Sequence, residues 1–88
     1  MEPIMTDVEK LCIKRALQCL RKVGAGVTEK NLFDQVEIGI GRPLTTIDRK
    51  VILAMMLDKS WVYSYTDPIT DEIRYAIEPA GERAIIAL

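Results

Sequence analysis

The sequence predicts an α+β fold of three helices, a two-stranded β-hairpin and a short closing helix. Three observations carry that expectation. Apolar residues recur at helical spacing from Val8 to about Lys59. At Trp61 the period changes from helical to two. At Glu78-Pro79 the helical pattern returns, with proline at a tolerated first-turn position. The 88 residues suit one domain, placed at 6–88, with residues 1–5 a flexible N-terminus.

Each element has its own signal. Thr6-Asp-Val-Glu9 is a capping box that starts the first helix, and Gly24 is placed to end it. On the helical wheel Val8, Cys12, Ile13, Ala16, Leu17, Cys19, Leu20 and Val23 share one half. Lys10, Lys14, Arg15, Gln18, Arg21 and Lys22 share the other, with Leu11 the one apolar residue among them. Thr28 caps a second helix of about ten residues carrying Leu32, Phe33 and Val36. Gly39-Ile-Gly-Arg-Pro43 breaks it, and a third helix starts near Thr45 or Thr46 with Asp48 at its positive end.

From Trp61 the alternation Trp61, Tyr63, Tyr65 predicts a strand whose aromatic face packs on the helices. Asp67-Pro-Ile-Thr-Asp71 is turn chemistry, and Ile73, Tyr75 and Ile77 mark the returning strand. The last helix ends in Ala84-Ile-Ile-Ala-Leu88.

Composition narrows the function classes. There is no histidine, so no Ser-His or Cys-His pair is possible, and no glycine-rich phosphate loop appears. Neither a catalytic residue nor a cofactor site is assigned, and the chain is expected not to be an enzyme. Cys12 and Cys19 lie seven residues apart on one helix, roughly 10 Å along its axis, too far for a disulfide. They read as small core residues or as contacts to a partner's helix, and without histidine they make no zinc site. No apolar run reaches a membrane span, no signal-peptide pattern opens the chain, and no small-molecule ligand is evident; a cytoplasmic protein is the expectation.

Two local stretches resemble the winged helix-turn-helix superfamily. Met56-Leu-Asp-Lys-Ser-Trp-Val62 is similar to that family's junction between helix three and the wing, with Ser60 where glycine is usual. Tyr75-Ala-Ile-Glu-Pro-Ala-Gly-Glu-Arg83 is similar to the exit from the second wing strand into the final helix. The likeness runs from about Thr6 to Leu88. It implies a small bacterial or phage regulator-like protein that binds double-stranded DNA. Helix three would then enter the major groove, and dimers would be held by the terminal helices.

Charge tests that implication. Residues 1–30 carry six basic and four acidic groups, 31–60 four of each, and 61–88 two basic and five acidic. The wing is thus the most acidic region, with Asp67, Asp71 and Glu72 opposed by Arg74 alone, and phosphate should repel it. The candidate DNA contacts are Arg42, Thr45, Thr46, Arg49 and Lys50 around the start of helix three. Arg49 is placed to read guanine, and Lys10, Lys14 and Arg21 of the first helix are placed against backbone. Their alternative reading is ordinary capping and solvated helix surface. Residues 51–57 are apolar in every direction of the wheel, so some must be covered by the hairpin and last helix or by a second subunit. The expected dimer-interface residues are Cys12, Cys19, Ile52, Met55, Met56, Ile85, Ile86 and Leu88. A second reading keeps the same scaffold for protein association without DNA.

Overall fold

The structure is a computed structural model that describes residues 5–88. The flexible N-terminus expected over residues 1–5 lies outside the described residues except for Met5, which packs against the core. The chain runs α1 (Asp7–Val23), β1 (Val27–Thr28), α2 (Glu29–Ile40), α3 (Thr46–Asp58), β2 (Val62–Thr66), β3 (Ile73–Ile77) and α4 (Pro79–Ala87). No described helix is long and apolar enough to cross a membrane.

Local chemistry sets the boundaries. The Thr6 hydroxyl accepts from the Glu9 N–H while the Glu9 carboxylate accepts from the Thr6 N–H, a closed capping box. Gly24 ends α1 with φ 72°, and Gly41 ends α2 with φ 75°. The α2 helix passes through Gly39 before Gly41 stops it. At the end of α3 the Ser60 N–H donates to the Leu57 carbonyl and the Trp61 N–H to the Met56 carbonyl. This is a Schellman motif, and Ser60 takes the left-handed position with φ 58°.

The expected hairpin is present as β2 and β3, and β1 adds a third strand, so the sheet order is β1-β3-β2. Val27 pairs with Tyr75 and Thr28 with Arg74, so β1 covers the free edge of β3. Two residues are too few to show a period, and this pair also forms the entry to α2. The face of β2 differs from expectation as well. Val62 is its buried residue, while Tyr63 and Tyr65 are exposed on the opposite face with ring centroids 6.2 Å apart. The inner face of the sheet is built by Val62, Tyr75, Ile77 and Val27.

The core takes Cys12, Ile13, Ala16, Leu17 and Leu20 from α1, then Leu32, Phe33 and Val36 from α2. Leu44 in the turn, Ile52, Leu53 and Met56 of α3, and Ala84 and Ile85 of α4 complete it. Four of the residues expected at a dimer interface (Cys12, Ile52, Met56 and Ile85) are therefore buried within the protein itself and unable to meet a partner. The apolar run of α3 divides in two. Ile52, Leu53 and Met56 point inward, and Val51, Ala54 and Leu57 remain exposed. Gly81 lets α4 pack onto the bend before β2, because a Cβ there would collide with the Trp61 carbonyl oxygen.

Candidate nucleic-acid interface

The α2–α3 unit is fixed by a small polar network. The carboxylate of Glu37 accepts from the Leu44 N–H at 2.7 Å through one oxygen, and its other oxygen lies 3.0 Å from the Arg49 guanidinium. Asp34 lies 3.3 Å from the same guanidinium and also pairs with Lys30 at 3.1 Å. The Arg49 guanidinium stands 5.8 Å from the centre of the Phe33 ring, within cation–π range. These contacts hold the Glu37 carboxyl below its ordinary value, first through the Leu44 N–H and then through Arg49. Asp34 is lowered mainly by its bond from Lys30, and Arg49 is raised mainly by Glu37.

Arg49 thus braces α2 against α3. Its side chain is 21% exposed and engaged by two carboxylates and a ring. Thr45 is committed too: its hydroxyl accepts from the Asp48 N–H at 3.0 Å, and the Asp48 carboxylate accepts from the Thr45 N–H at 3.1 Å. An N-cap of this kind contributes about 1 kcal/mol to helix stability.

What remains available at the start of α3 is Thr46 and Lys50. With Glu29, Lys30 and Arg49 they line an open depression of about 250 Å³. It lies between the first turns of α2 and α3, so the positive ends of two helix dipoles converge on it. Lys30 is a residue the sequence reading missed. It belongs to a different helix from Lys50, and only the crossing of α2 and α3 brings the two together. Arg42 lies elsewhere, lining a recess of about 100 Å³ with Glu9, Asp48 and Val51. Lys10, Lys14 and Arg21 line neither space.

The outward face of α3 is otherwise apolar. Ile47 is 74% exposed and Val51 43%, with Ala54 one turn further along. On the wing, Asp67 is not a free charge. Its carboxylate accepts from the Ile69 and Thr70 N–H groups and, at 2.9 Å, from Arg74 Nε. Those bonds hold its pKa below the ordinary carboxylate value, the Ile69 N–H contributing most. The exposed acids at the tip are Asp71 and Glu72, beside Ile69, which is 92% exposed.

No protein-family model matches the sequence, and no curated protein matches it. Solved structures do. RosR from H. salinarum superposes with a TM-score of 0.69 at 16% identity, covering 94% of this chain and 69% of that one. F-93 of SSV1 gives 0.67 at 13% identity, covering 99% and 87%. MepR from S. aureus, solved with DNA, gives 0.62 at 17% identity, and the match covers 94% of this chain and 53% of MepR. TA0346 from Thermoplasma acidophilum, a putative transcriptional regulator, gives 0.70 at 18% identity, covering 91% and 76%. The order of elements, the three-stranded sheet and these superpositions together give the chain a winged helix-turn-helix fold.

Proposed function

We propose that this chain is a DNA-binding protein of the transcriptional-regulator kind, using the first turns of α2 and α3 as its contact with double-stranded DNA. The observation that carries the reading is the convergence of Lys30, Thr46 and Lys50 on one depression at two helix N-termini. That combination suits a backbone phosphate, which binds where helix dipoles and lysines add. MepR, with the same fold, was solved bound to DNA. The role is binding rather than catalysis, which agrees with the absence of histidine.

A homodimer belongs to this proposal, since paired winged helices read paired half-sites. Of the expected interface residues, Ile86 is 88% exposed on α4, while Cys19, Met55 and Leu88 are half-buried. The test is titration of labelled mixed-sequence duplex at about 50 mM and about 200 mM salt. Binding that weakens steeply with salt supports the reading, and no binding at the lower salt ends it.

One observation favours association as the second reading. Ile47, Val51 and Ala54 give the face of α3 that would meet DNA an apolar surface. A self-associating protein without salt-sensitive DNA binding is what that reading expects.

A further inference from the structure

The wing turn is held by its own hydrogen bonds. The Asp67 N–H donates to the Glu72 carbonyl and the Asp71 N–H to the Asp67 carbonyl, both at 2.8 Å. The Asp67 carboxylate accepts from the Ile69 N–H at 2.8 Å and from Arg74 Nε at 2.9 Å. This frame presents an apolar residue to water: Ile69 is 92% exposed and Ile73 57%. The exposed carboxylates of Asp71 and Glu72 lie between them in the chain, and no ion pair among the described residues takes up either one. A turn already fixed in this way loses little further freedom on binding, which favours it as a docking element.

The complementary pattern stands on α1. Leu11, Lys14, Gln18 and Arg21 follow one another at i+3 and i+4 spacing, so they form one continuous stripe along the helix. Lys10 and Lys22 flank the stripe, and Leu11 is its apolar member, 43% exposed. Asp7 is the acid on this face, outnumbered by Lys10, Lys14, Arg21 and Lys22. No ion pair among the described residues takes up these four cations. One chain therefore carries an acidic turn with an apolar tip and a basic stripe with an apolar spot.

We propose that the wing tip of one copy docks on the outer stripe of α1 of a second copy. Ile69 meets Leu11, while Asp71 and Glu72 meet Lys10 and Lys14. The contact joins unlike surfaces, and charge fixes the pairing, because two wing tips repel one another and so do two stripes. A single turn against one helix face buries far less than a standard interface of about 1,600 Å², so the association is weak and screened by salt. It uses neither the α2–α3 depression nor α4, and it gives Lys10 and Lys14 a role other than contact with DNA backbone.

The experiment is amide chemical-shift mapping of the full chain in mixtures of two variants at low salt, with Tm measured for each. Ile69→Ser with Glu72→Gln spoils the tip and leaves the stripe, whereas Lys10→Gln with Lys14→Gln spoils the stripe and leaves the tip. Ile69, Glu72 and Lys10 are exposed and Lys14 is half-buried, so Tm should change little. Neither variant alone should show concentration-dependent shifts at the tip or the stripe. Mixing them should restore both: Ile69, Thr70 and Asp71 shift in the labelled stripe variant, and Leu11, Lys14 and Gln18 shift in the labelled tip variant. About 1 M salt, where the Debye length is about 3 Å, should abolish these shifts. No shifts in the mixture, or tip shifts with a silent stripe, overturn the contact. Shifts that persist at high salt overturn its recognition by charge. Stripe shifts on adding duplex DNA, with none in the mixture, assign the stripe to backbone phosphate and overturn the proposal.

Discussion

Glu37 holds Arg49 with one carboxylate oxygen, at 3.0 Å, and the Leu44 N–H with the other, at 2.7 Å. One side chain of α2 therefore fixes both the turn before α3 and the first turns of α3 itself. Removing it frees two partners at once, and an unsatisfied donor is costlier than a lost bond is valuable. Glu37→Gln keeps an acceptor for Leu44 and loses the charge for Arg49; Glu37→Ala loses both. The expected order of Tm is wild type, then E37Q, then E37A, measured by thermal circular dichroism. Equal Tm values for all three would show that the network is ornamental.

The same carboxylates set a pH dependence. Glu37, Asp34 and Asp67 are held below their ordinary values of 4.5, 3.8 and 3.8 by hydrogen bonds and neighbouring cations. A depressed folded value means that the unfolded chain binds protons first, so stability falls as pH falls. Their contribution is complete above the ordinary carboxylate range and gone below the depressed folded values. Urea midpoints taken from neutral pH down through that range should decline, and less steeply in E37Q and in Asp67→Asn. A decline of unchanged slope in both variants would assign acid sensitivity to other groups.

Ser60 has φ 58° at the left-handed position of the Schellman turn. A side chain there costs about 1–2 kcal/mol. Glycine removes that cost but adds about 0.4–1 kcal/mol of unfolded-chain entropy. The steric term wins, so Ser60→Gly should raise stability by about 0.5–1 kcal/mol, or a few degrees in Tm. A lower Tm would mean that the serine side chain stabilises the turn in another way.

These residues mark what was legible in the sequence. The capping box at Thr6, the glycine stop at Gly24, the hairpin turn and the junction at Ser60 are short-range chemistry, and each was readable from adjacent letters. What escaped depends on residues far apart in the chain. Strand β1 has two residues and no period, and its evidence is the free edge of β3. The face of β2 was assigned by its aromatic residues, but the core selected Val62 because Val62 stands opposite Ile77 on the inner face. Cys12, Ile52, Met56 and Ile85 looked available for a partner because a helical wheel does not show how much of its apolar arc the same chain will cover. Lys30 and Lys50 became neighbours only through helix crossing, and the carboxylates that engage Arg49 stand on another helix.

Two glycines should respond differently to alanine. At Gly81 the added Cβ meets the Trp61 carbonyl oxygen, which also accepts from the Glu78 N–H at 2.9 Å and has no freedom to yield. At Gly26 it meets the hydroxyl end of Tyr65, an exposed side chain able to swing away. Overpacking against backbone costs about 1–3 kcal/mol. Gly81→Ala should therefore lose clearly more stability than Gly26→Ala in urea titrations. The reverse order would mean that Tyr65 is fixed in place and α4 is not.

The lysines and Arg49 separate binding from folding. Lys50 and Lys30 are exposed at the α2–α3 depression, so Lys50→Ala and Lys30→Ala should leave Tm nearly unchanged. If each contacts a phosphate, each should weaken duplex binding several-fold across all sequences and reduce the salt slope by about 1. Arg49→Lys keeps the charge but loses the planar fork that meets Asp34 and Glu37 together, so its first effect should be on Tm. Asp71→Asn removes an exposed charge from the wing tip and retains a residue that tolerates its φ of 60°. Affinity for DNA should then rise if the wing approaches backbone, and remain the same if α3 alone makes the contact. Loss of affinity in R49K at unchanged Tm, with full affinity in K50A and K30A, would return Arg49 to the role of reader and remove the depression from the interface.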